Sequence, residues 1–347
     1  MAKRQKKAEV SSLEQALQFL SMNFKVGEAQ TMHSRMENGT AVTFNMVVGL
    51  GTPIDIDLCA CPQVDLMLAA VQRCGPTLAI TQLSPHKLVV RSQDFHAYVP
   101  CIDPAACSWP KPDTPIAEIG ADFIGALHKV APFTDAKGET VLESSIQLLD
   151  GSVLATNRSV VVEAWHGTSM PEGLLIPVEA AKLLHKSKKE LRLFGYSPTT
   201  ITFYFADNSW LRTQLFQDKL PNIKAHIERA SQEHMHDVPH DFFAAVEKVA
   251  PFSTSGKIWI ENNLVSSHPF DAKEEGSGLA LEFAGNGHAY RVYAASDLHK
   301  IRKIATKWDE FGRDDGTLFF GEKIRGMIWH QKKAEPLSSA EDDDIPF

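Results

Sequence analysis

Two short segments carry lysines at the spacing that places them on one face of an α-helix. The first segment has Lys182, Lys186 and Lys189, and the second has Lys300, Lys303 and Lys307. A row of ammonium groups suits an extended polyanion such as a phosphodiester backbone, which it contacts without recognising base edges. For one such helix alone, a solvated surface is the simpler interpretation.

The chain as a whole is acidic, so any basic surface must be local. It has 35 Lys and Arg against 43 Asp and Glu, a formal charge of −8. The 347 residues, 44% hydrophobic and 22% charged, suit a globular protein of two or three domains. Because no apolar run is long enough for a membrane helix or a signal peptide, we expect a cytoplasmic protein.

The sequence lacks the motifs of common enzyme chemistry. It has no P-loop, dinucleotide fingerprint, Gly-x-Ser-x-Gly or His-Glu-x-x-His. We therefore predict no catalytic activity and no cofactor. Clustered cysteines and a histidine-rich run at 234–240 could bind a metal, but reduced thiols and an exposed linker explain them more simply, so we predict no metal site. The cysteines are Cys59, Cys61, Cys74, Cys101 and Cys107.

One segment of the sequence occurs twice. Residues 122–133 and 241–252 are identical at eight of twelve positions, with an offset of 119 residues. Repetition of this kind marks a duplicated structural unit. In each copy an Asp can cap a helix, apolar residues follow at helical spacing, and a Pro ends it. This pattern predicts the first helix of each unit.

A second helix follows each copy, over 177–189 and from Ser296 to Lys307. A more diverged first unit has the same layout, with helices over 11–24, opened by the capping box Ser11-x-x-Glu14, and 62–73. Turn dipeptides separate β-rich stretches between and after the helices. They are Asn38-Gly39 and Asp150-Gly151, whereas Asp315-Gly316 is expected among the closing strands. The order helix, strands, helix, strands thus occurs three times, which predicts an α+β protein.

Two linkers divide the chain, a Pro-rich one at 103–113 and a polar one at 228–239. We expect three structural units at 11–108, 114–229 and 237–332. A basic arm at 1–10 precedes them and an acidic tail at 333–347 follows them.

Two segments carry a resemblance to a known family. Leu148-Leu-Asp-Gly-Ser-Val-Leu-Ala-Thr-Asn157 and Phe216-Gln-Asp-Lys-Leu-Pro-Asn222 are similar to stretches of the bacterial sliding clamp, the processivity subunit of the replicative polymerase. With the repeat, the resemblance extends from about residue 11 to 332. It implies three clamp domains, each with two helices on antiparallel sheets, and a head-to-tail homodimeric ring around duplex DNA.

The resemblance implies that the helices line the ring, so their basic residues become candidate contacts with DNA phosphates. These candidates are Arg73, Lys129, Lys182, Lys186, Lys189, Lys248, Lys300, Arg302, Lys303 and Lys307. Lys25 and the basic residues at 3–7 are weaker candidates.

Clamps of this family hold polymerase and clamp-loader peptides in an apolar cleft between domains two and three. The matching residues are Leu142, Thr156, Val161, Pro221, Met327, Ile328 and Trp329. This chain departs from the family at 158–161, where Arg-Ser-Val-Val replaces Gly-His-Arg-Leu, and at Ala225-His226, where the family has Arg-Val. We expect a cleft with an altered peptide preference.

The C-terminal tip is similar to the terminal peptide of bacterial single-stranded DNA-binding protein. It consists of Asp342, Asp343, Asp344, Ile345, Pro346 and Phe347. In that peptide the Phe ring enters a hydrophobic pocket while the acidic run meets basic residues. The resemblance implies a docking peptide for proteins that recognise single-stranded DNA-binding protein, as a clamp encoded by a phage would use in a bacterial host.

Two alternatives remain open at this point. The chain could be a single-stranded DNA-binding protein, which would need a compact barrel with aromatic residues for base stacking. It could also be a clamp-like decoy that sequesters host proteins through its tail without encircling DNA.

Overall fold

The computed structural model describes residues 12–24, 27, 29–56, 58–74, 78–106, 108–228, 235–238, 240–270, 280–282, 290–309 and 315–331. It divides into two compact units. Unit 1 is Met1–Ala155 with Ala164–Leu220, and unit 2 is Thr156–Glu163 with Pro221–Phe347. The docking tip at 342–347, the basic arm at 1–10, Lys25, and parts of the cysteine and histidine clusters lie outside the described residues.

Six of the α-helices pack as three pairs: α1 against α3, α4 against α6, and α7 against α8. Within the described ranges, the helices in chain order are Ser12–Ser21 (α1), Ala29–Met32 (α2), Val64–Cys74 (α3), Asp122–Val130 (α4), Val141–Ser144 (α5), Val178–Ser187 (α6), His240–Val249 (α7) and Ala295–Ile301 (α8). None of them has the length and apolar character needed to cross a membrane.

The strands alternate with the helix pairs. In chain order they are Ser34–Glu37 (β1), Thr40–Phe44 (β2), Val48–Pro53 (β3), Cys61–Pro62 (β4), Ala79–Ser84 (β5), Lys87–Arg91 (β6), His96–Ile102 (β7), Ala117–Glu118 (β8), Ser145–Leu149 (β9), Ser152–Thr156 (β10), Val160–Trp165 (β11), Leu174–Pro177 (β12), Leu191–Tyr196 (β13), Thr200–Phe205 (β14), Trp210–Gln214 (β15), His236–Asp237 (β16), Lys257–Glu261 (β17), Leu264–Ser266 (β18), Ala280–Glu282 (β19), Arg291–Ala294 (β20), Lys307–Asp309 (β21), Gly316–Gly321 (β22) and Ile324–Trp329 (β23).

The same element order occurs three times. Four strands lie between the two helices of each pair, and three more follow the second helix. We name these repeats module 1 (α1 to β7), module 2 (α4 to β15) and module 3 (α7 to β23). The predicted order of helix, strands, helix, strands is confirmed.

Antiparallel sheets support the helix pairs. In unit 1, one sheet has the strand order β1-β2-β3-β15-β14-β13-β8, a second has β4-β7-β6-β5, and strands β12-β9-β10 are neighbours. In unit 2, β11 (residues 160–163) is followed in order by β23, β22, β21 and β16, and a further sheet has the order β19-β18-β17-β20.

The repeated segment forms a helix because its apolar residues recur on one side. Phe123, Leu127 and Val130 of α4 are buried, and so are their counterparts in α7. Burying each such side chain contributes about 1.5–3 kcal/mol. A 3-10 turn that contains Pro132 follows α4, so the predicted helix end is confirmed.

The expected second helices are longer than those observed. Helix α6 ends at Ser187 because Lys188 adopts a left-handed conformation with φ of 53°. Helix α8 ends at Ile301, and Lys307 begins strand β21. The prediction that Lys189 and Lys307 continue the helical lysine faces is therefore wrong.

Other local predictions had mixed outcomes. Asn38 and Gly39 form the turn between β1 and β2 with φ of 52° and 70°. Asp150-Gly151 likewise connects β9 and β10. Gly316 is the first residue of β22 and pairs with Trp329, so Asp315-Gly316 lies among the closing strands as expected. Asp122 is the first residue of its helix and not the cap.

Candidate nucleic-acid interface

The exposed side of the α4–α6 pair carries both lysines and histidines. Lys182 and Lys186 are exposed on α6, and Lys129 is half-buried on α4. Between the two helices the rings of His128 and His185 stack with centroids 3.9 Å apart and an interplanar angle of 18°. Because the apolar sides of these helices are buried, this surface is available to a ligand in the isolated unit.

The α7–α8 pair carries a mixture of charges at the corresponding place. Lys248 and Lys303 are exposed. Arg302 forms an ion pair with Glu247, and the Nδ1 atom of His299 lies 3.7 Å from the Oε1 atom of the same carboxylate. The basic character of module 3 is therefore partly balanced by acid.

The positive charge of Lys300 on α8 is also partly balanced by a carboxylate. Its Nζ atom lies 3.1 Å from the Oδ1 atom of Asp297. That buried carboxylate also accepts a hydrogen bond of 2.9 Å from the side-chain amide of Asn157. The Asp297 carboxylate thus connects the 156–163 segment to α8 within unit 2.

Module 1 is the poorest in basic residues. Arg73 is exposed at the end of α3 and donates to the carbonyl oxygen of Ala69 at 3.1 Å. On the same helix pair, Glu14 of α1 accepts hydrogen bonds from Gln18 at 3.0 Å and from Gln72 of α3 at 3.2 Å. Amides and a carboxylate thus occupy the surface that carries lysines in module 2.

The side chain of Lys189 is held by contacts within the fold. Its Nζ atom forms an ion pair with Asp207, donates to Ser209 at 2.9 Å, and lies 4.1 Å from the centre of the Phe19 ring. Burial by itself would raise the pKa of Asp207, but the hydrogen bonds from Lys189 and Ser209 bring that pKa below its ordinary value. Lys189 therefore connects modules 1 and 2 inside unit 1.

Most residues expected to form the partner-peptide pocket belong to the core. The buried ones are Thr156, Val161, Met327 and Ile328. Pro221 is exposed, Leu142 is half-buried in α5, and Trp329 is half-buried in β23. The Trp329 ring lies edge-on to His226 with centroids 5.5 Å apart.

A buried ion pair positions the segment that contains Pro221 and His226. The carboxylate of Glu163 is fully buried and accepts hydrogen bonds from Arg325 of β23. The Nζ atom of Lys224 lies 3.5 Å from the same carboxylate. The 221–226 segment is thereby held next to β23 in unit 2, with the Trp329 side chain partly accessible.

Sequence reasoning missed four residues that the structure makes conspicuous. His128 and His185 meet only because α4 and α6 pack together. Tyr98 on β7 and Phe252 after α7 are 59% and 53% exposed. The repeated segment held a signal for two of them, since position 128 is His in one copy and Glu in the other, and Phe252 repeats Phe133.

Solved structures show the same fold over almost the whole chain. Caulobacter crescentus pol III beta has a TM-score of 0.75 at 13% identity, covering 93% of this chain and 98% of that one. The DNA polymerase III subunit beta from Pseudomonas aeruginosa has a TM-score of 0.73 at 10% identity, with coverages of 93% and 98%. The Helicobacter pylori beta clamp bound to a DNA ligase peptide has a TM-score of 0.72 at 15% identity, with coverages of 92% and 98%.

These likenesses establish that the chain has the sliding-clamp fold, as predicted. No family model and no curated protein sequence matches it. The fold differs from the compact barrel that the single-stranded DNA-binding alternative requires.

Proposed function

We propose that this protein is a non-enzymatic sliding clamp that closes into a ring around duplex DNA and tethers replication or repair proteins. The observation that carries the proposal is the match of more than nine-tenths of the chain to the clamp fold at TM-scores of 0.72–0.75. We place its action in the bacterial cytoplasm, with a phage as the source of the chain.

The proposed DNA contacts are the basic residues on the exposed sides of the helix pairs. They are Arg73, Lys129, Lys182, Lys186, Lys248, Lys300, Arg302 and Lys303. Sequence-independent contacts with phosphates release counterions, so affinity should fall steeply as salt increases. Lys189 and Lys307 are left out because Lys189 lies beyond the end of α6 and Lys307 lies on strand β21.

Charge reversal at module 2 tests these contacts. We expect the K182E/K186E variant to bind a duplex oligonucleotide more weakly than the unaltered protein, with a smaller dependence of log K on log salt. The control is K219E, which reverses the charge of an exposed lysine in the loop after β15. Equal salt dependence in all three proteins would contradict the assignment.

Strand pairing between modules supports a ring formed by two copies. In module 1 the third strand, β3, pairs with β15, the last strand of module 2, from Val48–Thr213 to Gly51–Trp210. In unit 2 the third strand of module 2, β11, is next to β23, the last strand of module 3. Each junction therefore joins the third strand of one module to the last strand of the next.

One third strand and one last strand do not take part in these two junctions and could pair with a second copy of the chain. Strand β19, the third of module 3, is at the end of its sheet among the described residues. Strand β7, the last of module 1, pairs with β6 along 96–100, while β4 reaches only Cys101 and Ile102. Repetition of the junction between β19 of one copy and β7 of another would close a ring of two chains.

We further propose two ways of holding partners. Pro221 and Trp329 would contact a peptide from a polymerase or clamp loader, with Thr156, Val161, Met327 and Ile328 of the same unit shaping the site. The docking tip at 342–347 would recruit proteins that recognise single-stranded DNA-binding protein. Removing 342–347 should abolish capture of such a protein and leave retention on DNA unchanged.

Retention on closed DNA tests the proposed function. The protein is incubated with a circular plasmid, isolated with the plasmid by gel filtration, and the plasmid is then cut once. A ring stays on the circle and slides off the ends after cutting, whereas a decoy that does not encircle DNA is absent from both fractions. Equal retention on circular and linear plasmid would contradict the proposal.

A further inference from the structure

The surface of the α4–α6 pair holds an unusual contact between two titratable side chains. The imidazoles of His128 and His185 stack 3.9 Å apart, and both side chains are exposed. Lys182 lies three residues before His185 and four before Lys186, so it neighbours both on the surface of α6. Two imidazoles and two ammonium groups therefore share one small area of surface.

The second copy of the repeated segment has a different charge at this position. Glu247 stands at the position of His128 in the second copy of the segment, 119 residues later. Arg302 stands eight residues after Ala294, the last residue of β20, as His185 stands eight after Pro177, the last residue of β12. The Arg302–Glu247 ion pair is thus the counterpart of the histidine stack. Module 3 has a carboxylate in this contact where module 2 has a second imidazole.

The surroundings of His128 favour its neutral form when no anion is bound. Burial lowers the pKa of His128, and the charge of His185 lowers it further. The charged residues of the two helices are Asp122, Lys129, Glu179, Lys182 and Lys186. Glu179 accepts a hydrogen bond of 2.7 Å from Asn45. No charged residue occurs in three of the elements that pack against these helices, namely the 3-10 turn at 131–133 and strands β9 and β12. Strand β15 also packs against α6, and its Arg212 has its Nε atom 3.6 Å from the Oδ2 atom of Asp113.

We propose that the His128–His185 stack is a contact for a phosphate of duplex DNA and takes up a proton when the phosphate binds. This inference rests on the proposed function. A phosphate placed against the rings would supply the negative charge that Glu247 supplies in module 3, and it would stabilise an imidazolium. Binding of DNA to module 2 is then linked to pH, whereas the equivalent contact of module 3 is already balanced.

The pH dependence of DNA binding tests the inference. Affinity of the full chain for a fluorescein-labelled duplex is measured by anisotropy at pH 6, 7 and 8 and constant ionic strength. Uptake of one proton increases the affinity by up to about tenfold for each unit by which pH falls. We expect H128Q/H185Q to bind more weakly than the unaltered protein, with the larger difference at pH 6 and the smaller at pH 8, so that its affinity increases much less as pH falls.

The matched control is His299→Gln, because that ring lies beside the Glu247 carboxylate. It should retain the pH dependence of the unaltered protein. A double variant with the full pH dependence would overturn the inference and leave the proposed function intact. Absence of binding to duplex DNA at every pH would instead overturn the proposed function.

A direct measurement on the rings separates protonation from other effects of pH. The titration midpoints of His128 and His185 are followed by NMR with and without the duplex, with the single variants used for assignment. The inference requires at least one midpoint to move to higher pH when DNA binds. Unchanged midpoints in a protein that binds DNA would contradict it.

Discussion

The two copies of the repeated segment both end in Val-Ala-Pro-Phe, but their final phenylalanines have different environments. Phe133 is 1% exposed in unit 1, whereas Phe252 is 53% exposed in unit 2. Eleven residues, 134–144, follow Phe133 before β9, and they include helix α5; only four, 253–256, follow Phe252 before β17. The shared sequence determines the helix in both copies. The longer connection follows the buried Phe133, and the shorter one follows the exposed Phe252.

Aromatic residues are enriched at protein interfaces, and we propose that a partner covers the exposed Phe252 side chain. In the proposed ring that partner is a second copy, and exposed Tyr98 on β7 is the corresponding feature of module 1. The comparison therefore contrasts a phenylalanine that stabilises the fold with one that we propose stabilises an assembly.

The largest expected effect is on stability and distinguishes the two phenylalanines. Phe133→Ala should lower the free energy of unfolding by about 3–5 kcal/mol, because it leaves a cavity in a packed core. Phe252→Ala should change the stability of the isolated chain by less than about 1 kcal/mol. Urea unfolding at a low protein concentration measures both, and equal losses would contradict the comparison.

The next effect is on self-association. Phe252→Asp or Tyr98→Asp should weaken the dimer by about 2 kcal/mol or more, since a buried aromatic residue is replaced by a charge. Light scattering across a concentration series would then give the mass of one chain where the unaltered protein gives two. Tyr196→Asp, at a tyrosine that is 37% exposed on β13, is the control and should remain a dimer.

A third prediction concerns the first phenylalanine of each copy. Phe123 packs edge-on against buried His166 with centroids 5.0 Å apart, whereas Phe242 packs against Trp308 at 4.7 Å. Burial lowers the pKa of His166 from 6.5. The unfolded chain therefore binds more protons below pH 6.5, and stability contributed by the neutral ring is lost as pH falls from that value towards the folded pKa.

The loss should be at most about 1.4 kcal/mol for each unit of pH in this window. Urea unfolding at pH 5 and pH 7 measures it. His166→Asn keeps an acceptor for the Thr168 amide, which donates to Nδ1 at 3.0 Å, and removes the titration. If this variant loses as much stability on acidification as the unaltered protein, His166 is not the group responsible.

The smallest effect concerns the one helical glycine of the repeated segment. Gly125 is exposed in α4, a Cβ atom there would meet nothing within 4 Å, and its counterpart in α7 is Ala244. Gly125→Ala should stabilise the protein by about 0.5–1 kcal/mol, because alanine loses less backbone entropy in a helix. Ala244→Gly should destabilise it similarly, and thermal unfolding of both variants tests the pair.

Much of the fold could be predicted because the informative signals are local. Apolar residues at helical spacing located Phe123, Leu127 and Val130 in the core, and the repeat placed the same helix in module 3. Asn38-Gly39 defined a turn through its backbone preferences. The resemblance around 148–157 then supplied the clamp fold, which the solved structures confirm.

The errors arose where a residue's own preference does not decide its structure. Lysine favours helices, so the pattern over 177–189 continued past Ser187, and only the left-handed Lys188 ends it. Lys307 likewise extended a helical spacing into what is strand β21. The histidine stack and the exposure of Phe252 depend on contacts between distant segments, so spacing in one segment could not indicate them.

Imaging of the purified full chain by electron microscopy tests the central claim most directly, because the claim is that two three-module chains enclose a hole wide enough for a duplex. The account predicts class averages of an annulus with six lobes and an open centre, and Phe252→Asp should reduce it to arcs of three lobes. Compact particles without a central hole, at concentrations where light scattering gives the mass of two chains, would contradict it.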